Sequence, residues 1–128
     1  MSAVDVNDIL AVVQTYLDGL HEGDTAKLRR SFFPQAHLFS ATGDEFVNVP
    51  LDKWCEMVEG RPSPKSRGLT RKHERILAID ITGPNTAMVK LNCAILPRLF
   101  TDYLSLIRMD GRWGVINKTY HYEVVPED

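Results

Sequence analysis

The chain has 128 residues, of which 44% are hydrophobic and 25% charged, and its formal net charge is −2. That length holds one domain with a real core, so residues 1–128 are read as a single domain. The small negative charge excludes a global basic surface for nucleic acid or anionic membrane, and no apolar run is long enough to span a bilayer.

In chain order, Val6, Ile9, Leu10, Val13, Tyr16, Leu17 and Leu20 recur at helical spacing, with Asp5 placed to cap the helix they mark. Gly23 stops it. Asp24 can cap a short second helix carrying Leu28 and Phe32, which Pro34 ends. Residues 37–49 alternate weakly around Gly43-Asp44 and predict a short hairpin. Pro50 suits the first turn of a third helix, whose buried stripe is Leu51, Trp54, Cys55 and Val58. Residues 59–69, EGRPSPKSRGL, read as a loop. Its basic residues Arg61, Lys65 and Arg67, followed by Arg71, Lys72 and Arg75, predict a solvated surface; the sharper alternative is a positive lid over an acidic ligand. Leu77, Ile79 and Ile81 alternate up to a turn at GPNT, and Ala87, Val89, Leu91, Cys93 and Ile95 alternate after it. Pro97-Arg98 breaks that strand before a final pair. Helices first and a long antiparallel meander afterwards predict an α+β fold, with helices on one face of a curved sheet.

The last pair flanks Asp110-Gly111, a strong signal for a two-residue turn with both central residues at positive φ. The register follows outward from Met109 opposite Arg112. It places Ser105 opposite Ile116, Tyr103 opposite Lys118 and Thr101 opposite Tyr120 on one face, and Trp113, Val115, Leu104, Leu106, Asp102, Asn117, Thr119 and Phe100 on the other. A slip of one residue exchanges the two faces. Periodicity alone does not say which face lines a cavity.

The segment VVQTYLDGLHEGD, residues 12–24, resembles the first helix of ketosteroid isomerases. The order of helix, Gly-Asp, short helix, Phe, hairpin, helix and four strands resembles the nuclear transport factor 2-like superfamily. The closing FTDYLSLIRMDGRWGVINK is similar to its putative lumazine-binding branch, a relative of the SnoaL-like cyclases. The resemblance implies three helices packed on a strongly curved, mainly antiparallel sheet that forms a cone with one pocket. It also implies two departures. Phe32-Phe33-Pro34 stands where the branch often has Phe-His-Pro, and Ser40 stands where the isomerases carry their catalytic aspartate. Serine without a neighbouring base does not abstract that proton. Tyr16 is the counterpart of the isomerase tyrosine, and Ser105 falls where the second acid would be.

The same resemblance turns Ile116, Lys118 and Tyr120 into the cavity, with Tyr103 and Ser105 opposite. Lys118 beside Tyr103 is then the leading site, able to bind a carboxylate or polarise a carbonyl; the bland alternative is a rim lysine with its ammonium in water. Tyr16 and Tyr120 could offer hydroxyls to a ligand or be core aromatics, and Trp54 could stack on a ligand or pack the third helix on the sheet. In the opposite facing, Asp102, Asn117 and Thr119 become the pocket's polar groups. The outer face would carry Trp113, Val115, Leu104, Leu106 and Phe100 against a second copy, giving a homodimer. His21, His37, His73 and His121 show no metal-ligand spacing, and no phosphate loop or dinucleotide fingerprint occurs, so no metal or cofactor is expected. Cys55 and Cys93 read as buried small hydrophobes, and the acidic start MSAVDVNDIL shows no signal peptide, so the expected location is the cytoplasm.

The leading functional expectation is a binding domain for an anionic or aromatic small molecule, with catalysis unassigned. The alternatives are an isomerase, dehydratase or cyclase using Lys118, Tyr103 and Tyr16 on a carbonyl compound, and a protein-interaction module built on the face around Trp113.

Overall fold

The computed structural model describes residues 3–126. Helix α1 (Ala3–Glu22) starts before the expected cap, so Asp5 lies in its first turn, where an acid favours the helix dipole and here also pairs with Arg108 at 3.6 Å. Gly23, at φ 68°, turns the chain into α2 (Thr25–Ser31), and the Asp24 side chain accepts the Lys27 N–H as its cap. Strand β1 (Phe32–Ser40) begins directly after it, five residues earlier than the alternation suggests. A short 3-10 turn (Thr42–Asp44) leads to β2 (Val47–Pro50). Helix α3 (Leu51–Glu59) buries Leu51, Trp54, Cys55 and Val58 as expected. Strands β3 (Arg75–Thr82), β4 (Thr86–Ile95), β5 (Arg98–Met109) and β6 (Arg112–Val124) follow.

The six strands form one curved, unclosed sheet in the order β2-β1-β6-β5-β4-β3, antiparallel except where β1 runs parallel to β6. The three helices cover its concave side. Ile9, Val13, Tyr16 and Leu17 of α1, Leu28 of α2 and Trp54 of α3 meet Val89, Leu91, Leu104, Leu106, Trp113 and Val115 of the sheet in one buried core. Gly114 alternates with Trp113 and Val115 and lies outside this core, against Phe33: a Cβ there would stand 2.8 Å from the Phe33 ring. Among the described residues no helix is long and apolar enough to cross a membrane.

This core corrects the expected outer face. Trp113, Val115, Leu104 and Leu106 are at most 4% exposed and lie under the helices, while Phe100 packs against the core cluster. The apolar surface that motivated a homodimer, and the interaction surface around Trp113, are the interior of the protein.

Candidate functional site

The Asp110-Gly111 turn has φ values of 55° and 76°, so the predicted type of bend is present. The predicted register holds from Met109 opposite Arg112 to Leu106 opposite Val115, and then shifts. Ile116 is passed over as a β-bulge. Beyond it Ser105 faces Asn117, Leu104 faces Lys118, Tyr103 faces Thr119 and Asp102 faces Tyr120. One inserted residue therefore mixes the two alternative facings. Lys118 and Tyr120 point under the helices, and Asp102 points there with them. Tyr103, expected beside Lys118, is 50% exposed on the convex side. Ser105 and Thr119 are exposed there too, and the Thr119 hydroxyl donates to Asn117 at 3.0 Å. Ile116 is half-buried at the bulge.

At the base of the concavity Asp102 is fully buried and accepts a short hydrogen bond from the Tyr16 hydroxyl at Oδ2. The group joined to Tyr16 is thus Asp102, not Ser105. Burial first, and the Asp102 carboxylate second, push the Tyr16 phenol well above its ordinary pKa, so it is a donor at neutral pH. The Cys93 thiol approaches the same oxygen at 3.8 Å, and burial raises its pKa well above the ordinary value. Asp102 Oδ1 has no hydrogen-bond partner among the described residues.

The Lys118 ammonium is 3.8 Å from Asp102 Oδ2, close enough for an ion pair and too far for a hydrogen bond. It lies 4.8 Å from the centre of the Trp54 ring, 5.0 Å from that of Tyr16 and 5.2 Å from that of Tyr120. Three π faces and one carboxylate stabilise a charge that burial alone would disfavour. An ammonium has three donors, and among the described residues none of Lys118's meets an acceptor at hydrogen-bond distance.

Lys118 forms part of the wall of a cavity of about 80 Å³. Trp54 and Met57 of α3, Leu38, Val47 and Val49 of β1 and β2, and Phe100 and Tyr120 of β5 and β6 supply most of its apolar lining. Phe100 and Tyr120 meet edge to face at 5.7 Å. Arg61 and Arg98 complete it. Met57 and Arg98 are exposed and Arg61 is half-buried, which marks the mouth. Arg98 stacks its guanidinium 4.4 Å from the Tyr122 ring. Arg61 makes no ion pair among the described residues, and burial lowers its pKa from the ordinary value without threatening its charge. No Asp or Glu lines this cavity.

Of the residues expected from the sequence, Trp54, Lys118 and Tyr120 meet at the cavity, with Tyr16 and Asp102 directly behind Lys118. Ser40 is buried at the end of β1 and turned to Thr42, with its hydroxyl 3.2 Å from the Thr42 hydroxyl. Arg98 at the cavity is unanticipated by the sequence, whereas Arg61 belongs to the basic loop whose sharper alternative is a positive lid over an acidic ligand. The rest of that loop is tied down rather than poised as a lid. Arg67 donates to the Leu96 carbonyl at 2.7 Å, the Lys65 N–H to His21, and Arg71 pairs with Asp18 and Glu74. His37 is on the convex side, stacked on Phe39 and bonded to Asn48. Both cysteines are free and buried, and no cluster of potential metal ligands occurs among the described residues.

A family model described as putative lumazine-binding matches residues 4–121. The chain belongs to that family. Solved structures of nuclear transport factor 2-like proteins share the fold of this putative lumazine-binding family member. One of unknown function from Silicibacter pomeroyi is 22% identical with a TM-score of 0.83, over 96% of this chain and 100% of that one. Another, from Shewanella baltica, is 24% identical with a TM-score of 0.81, over 96% and 98%. A third, from Methylobacillus flagellatus, is 22% identical with a TM-score of 0.83, over 97% and 96%. At these identities the likeness establishes the α+β cone and nothing finer. No curated protein matches the chain. Family and fold together support a ligand-binding domain.

Proposed function

We propose that the cavity binds a small planar anion, a single-ring aromatic carboxylate or a compound of that size and charge. The observation that carries this reading is the charge of the wall: Lys118, Arg61 and Arg98 face the cavity, and the nearest carboxylate, Asp102, is buried behind Lys118. Lys118 has hydrogen-bond donors to give, and a guanidinium at the mouth suits a carboxylate's paired oxygens. Trp54, Phe100 and Tyr120 provide aromatic faces for a ring. Size limits the choice. Sites for drug-sized ligands are about 300–1,000 Å³, and a dry cavity of about 150 Å³ takes benzene. A cavity of about 80 Å³ therefore takes one ring only if Met57 and Arg61 swing aside at the mouth. Lumazine, the compound in the family's name, is planar and belongs in the same panel, as the larger member.

The test is calorimetric titration with three compounds of one shape: benzoate, benzamide and benzylamine. Benzoate is expected to bind best and benzylamine not at all, with benzoate affinity falling as salt rises. Equal affinity for benzoate and benzylamine, or none for any compound in the panel including lumazine, would end this reading.

A further inference from the structure

Lys118 is the one buried lysine among the described residues, and its amine is held without being clamped. Its carboxylate neighbour stands at 3.8 Å, beyond a hydrogen bond, and three rings surround it at about 5 Å. Lys118 lines a cavity that also carries Trp54, Phe100 and Tyr120. We infer that Lys118 is a covalent site: it condenses with the carbonyl carbon of a small aldehyde or ketone bearing an anionic group, and forms a protonated imine. This inference rests on the proposed anion-binding reading, because the anionic group is what Arg61 and Arg98 would hold at the mouth while the carbonyl reaches the floor.

The step balances without any other reactant. Asp102 accepts a proton from the ammonium. The freed amine adds to the carbonyl carbon, forming the C–N bond as the C=O π bond breaks, and the added nitrogen passes one of its two protons to the oxygen, which becomes a hydroxyl. Asp102, whose Oδ1 has no hydrogen-bond partner among the described residues, returns the proton to that hydroxyl, which leaves as water while the nitrogen pair closes the C=N bond. Lys–NH3+ and O=CR2 thus become Lys–NH+=CR2 and H2O, with nothing oxidised or reduced. The nitrogen stays cationic at start and finish, so Trp54, Tyr16 and Tyr120 stabilise the product as they do the ammonium. Asp102 is already fixed by the Tyr16 hydroxyl, so the proton acceptor keeps its place through the step.

The experiment uses the full chain and 4-carboxybenzaldehyde with cyanoborohydride, which reduces an imine to a stable secondary amine, and maps the modified lysine by peptide mass. Ordinary surface chemistry favours exposed lysines such as Lys53, Lys65 and Lys72. The expected result is the reverse: Lys118 is modified at least tenfold faster than any of them, and excess benzoate protects it. Lys118→Arg keeps the charge and leaves no Lys118 product, while the surface lysines react as before. Asp102→Asn, checked for folding by circular dichroism, slows modification of Lys118 by about tenfold or more. Modification that simply follows exposure would overturn the inference. If benzoate also binds in the calorimeter, only the covalent step falls; if it does not, the anion-binding reading falls with it.

Discussion

Replacing Lys118 with methionine keeps an unbranched stem of similar length and removes the ammonium, which leaves Asp102 buried without its counter-ion. Two charges 3.8 Å apart attract by about 4 kcal/mol at an effective dielectric of about 20. Losing the contacts with the Trp54, Tyr16 and Tyr120 rings adds about 0.5–2 kcal/mol, and the methionine's own burial offsets part of the sum. Breaking a buried pair from one side costs about 3–5 kcal/mol, and the same range is expected here. Adding Asp102→Asn removes the orphaned charge while leaving an oxygen for the Tyr16 hydroxyl. The double variant should therefore regain at least about 2 kcal/mol relative to the sum of the two single losses. Urea denaturation of the four proteins, followed by far-ultraviolet circular dichroism at neutral pH, measures all the terms. Strict additivity, or a Lys118→Met variant within about 1 kcal/mol of the parent, would refute the buried pair, because solvated side chains behave that way.

Three further outcomes follow from the same geometry. The Tyr16 phenol is held well above its ordinary value, so the folded chain keeps a proton that the unfolded chain releases above about pH 10; stability should be flat below that pH and fall by up to about 1.4 kcal/mol per pH unit above it. Tyr16→Phe should make that alkaline fall shallower, at a cost near neutral pH of about 1–3 kcal/mol for the donor lost by Asp102; an unchanged alkaline slope would count against a buried phenol. Gly114→Ala should destabilise by about 1–3 kcal/mol because its Cβ strikes the Phe33 ring, and Phe33→Leu should relieve part of this; a neutral single variant would mean that the ring does not cover position 114. Arg61→Ala should weaken benzoate about threefold to tenfold and flatten its salt dependence, with thermal stability little changed; undiminished affinity would remove Arg61 from the site.

Much of this architecture is written locally. The stripe on α3, the alternation of Ala87, Val89, Leu91 and Cys93, and the Asp110-Gly111 bend each depend on neighbours a few residues away, and each appears as expected. The site depends on something less local. β6 pairs with β5 on one side and β1 on the other, and the bulge at Ile116 in the β5 ladder falls where β1 also changes register against β6. Nothing in the residue types around Ile116 announces it. Alternation therefore selected one face or the other, when the fold takes Lys118 from one and Asp102 from the other. The resemblance to the isomerases supplied the inward turn of Lys118 and the importance of Tyr16, but missed the acid joined to Tyr16 by three positions. Arg61 is legible only as part of a basic loop or lid, and Arg98, directly after a proline, looks like an ordinary surface residue; the curvature of the sheet around α3 brings the two to one mouth.

The central claim is that a planar anion enters beside Lys118 on the concave side of the sheet. Intermolecular nuclear Overhauser effects between benzoate and the isotopically labelled protein report this contact directly. The expected cross-peaks join the ligand ring to Trp54 and Tyr120; cross-peaks to Tyr103 on the convex side, or saturable binding with none to Trp54 or Tyr120, would contradict it.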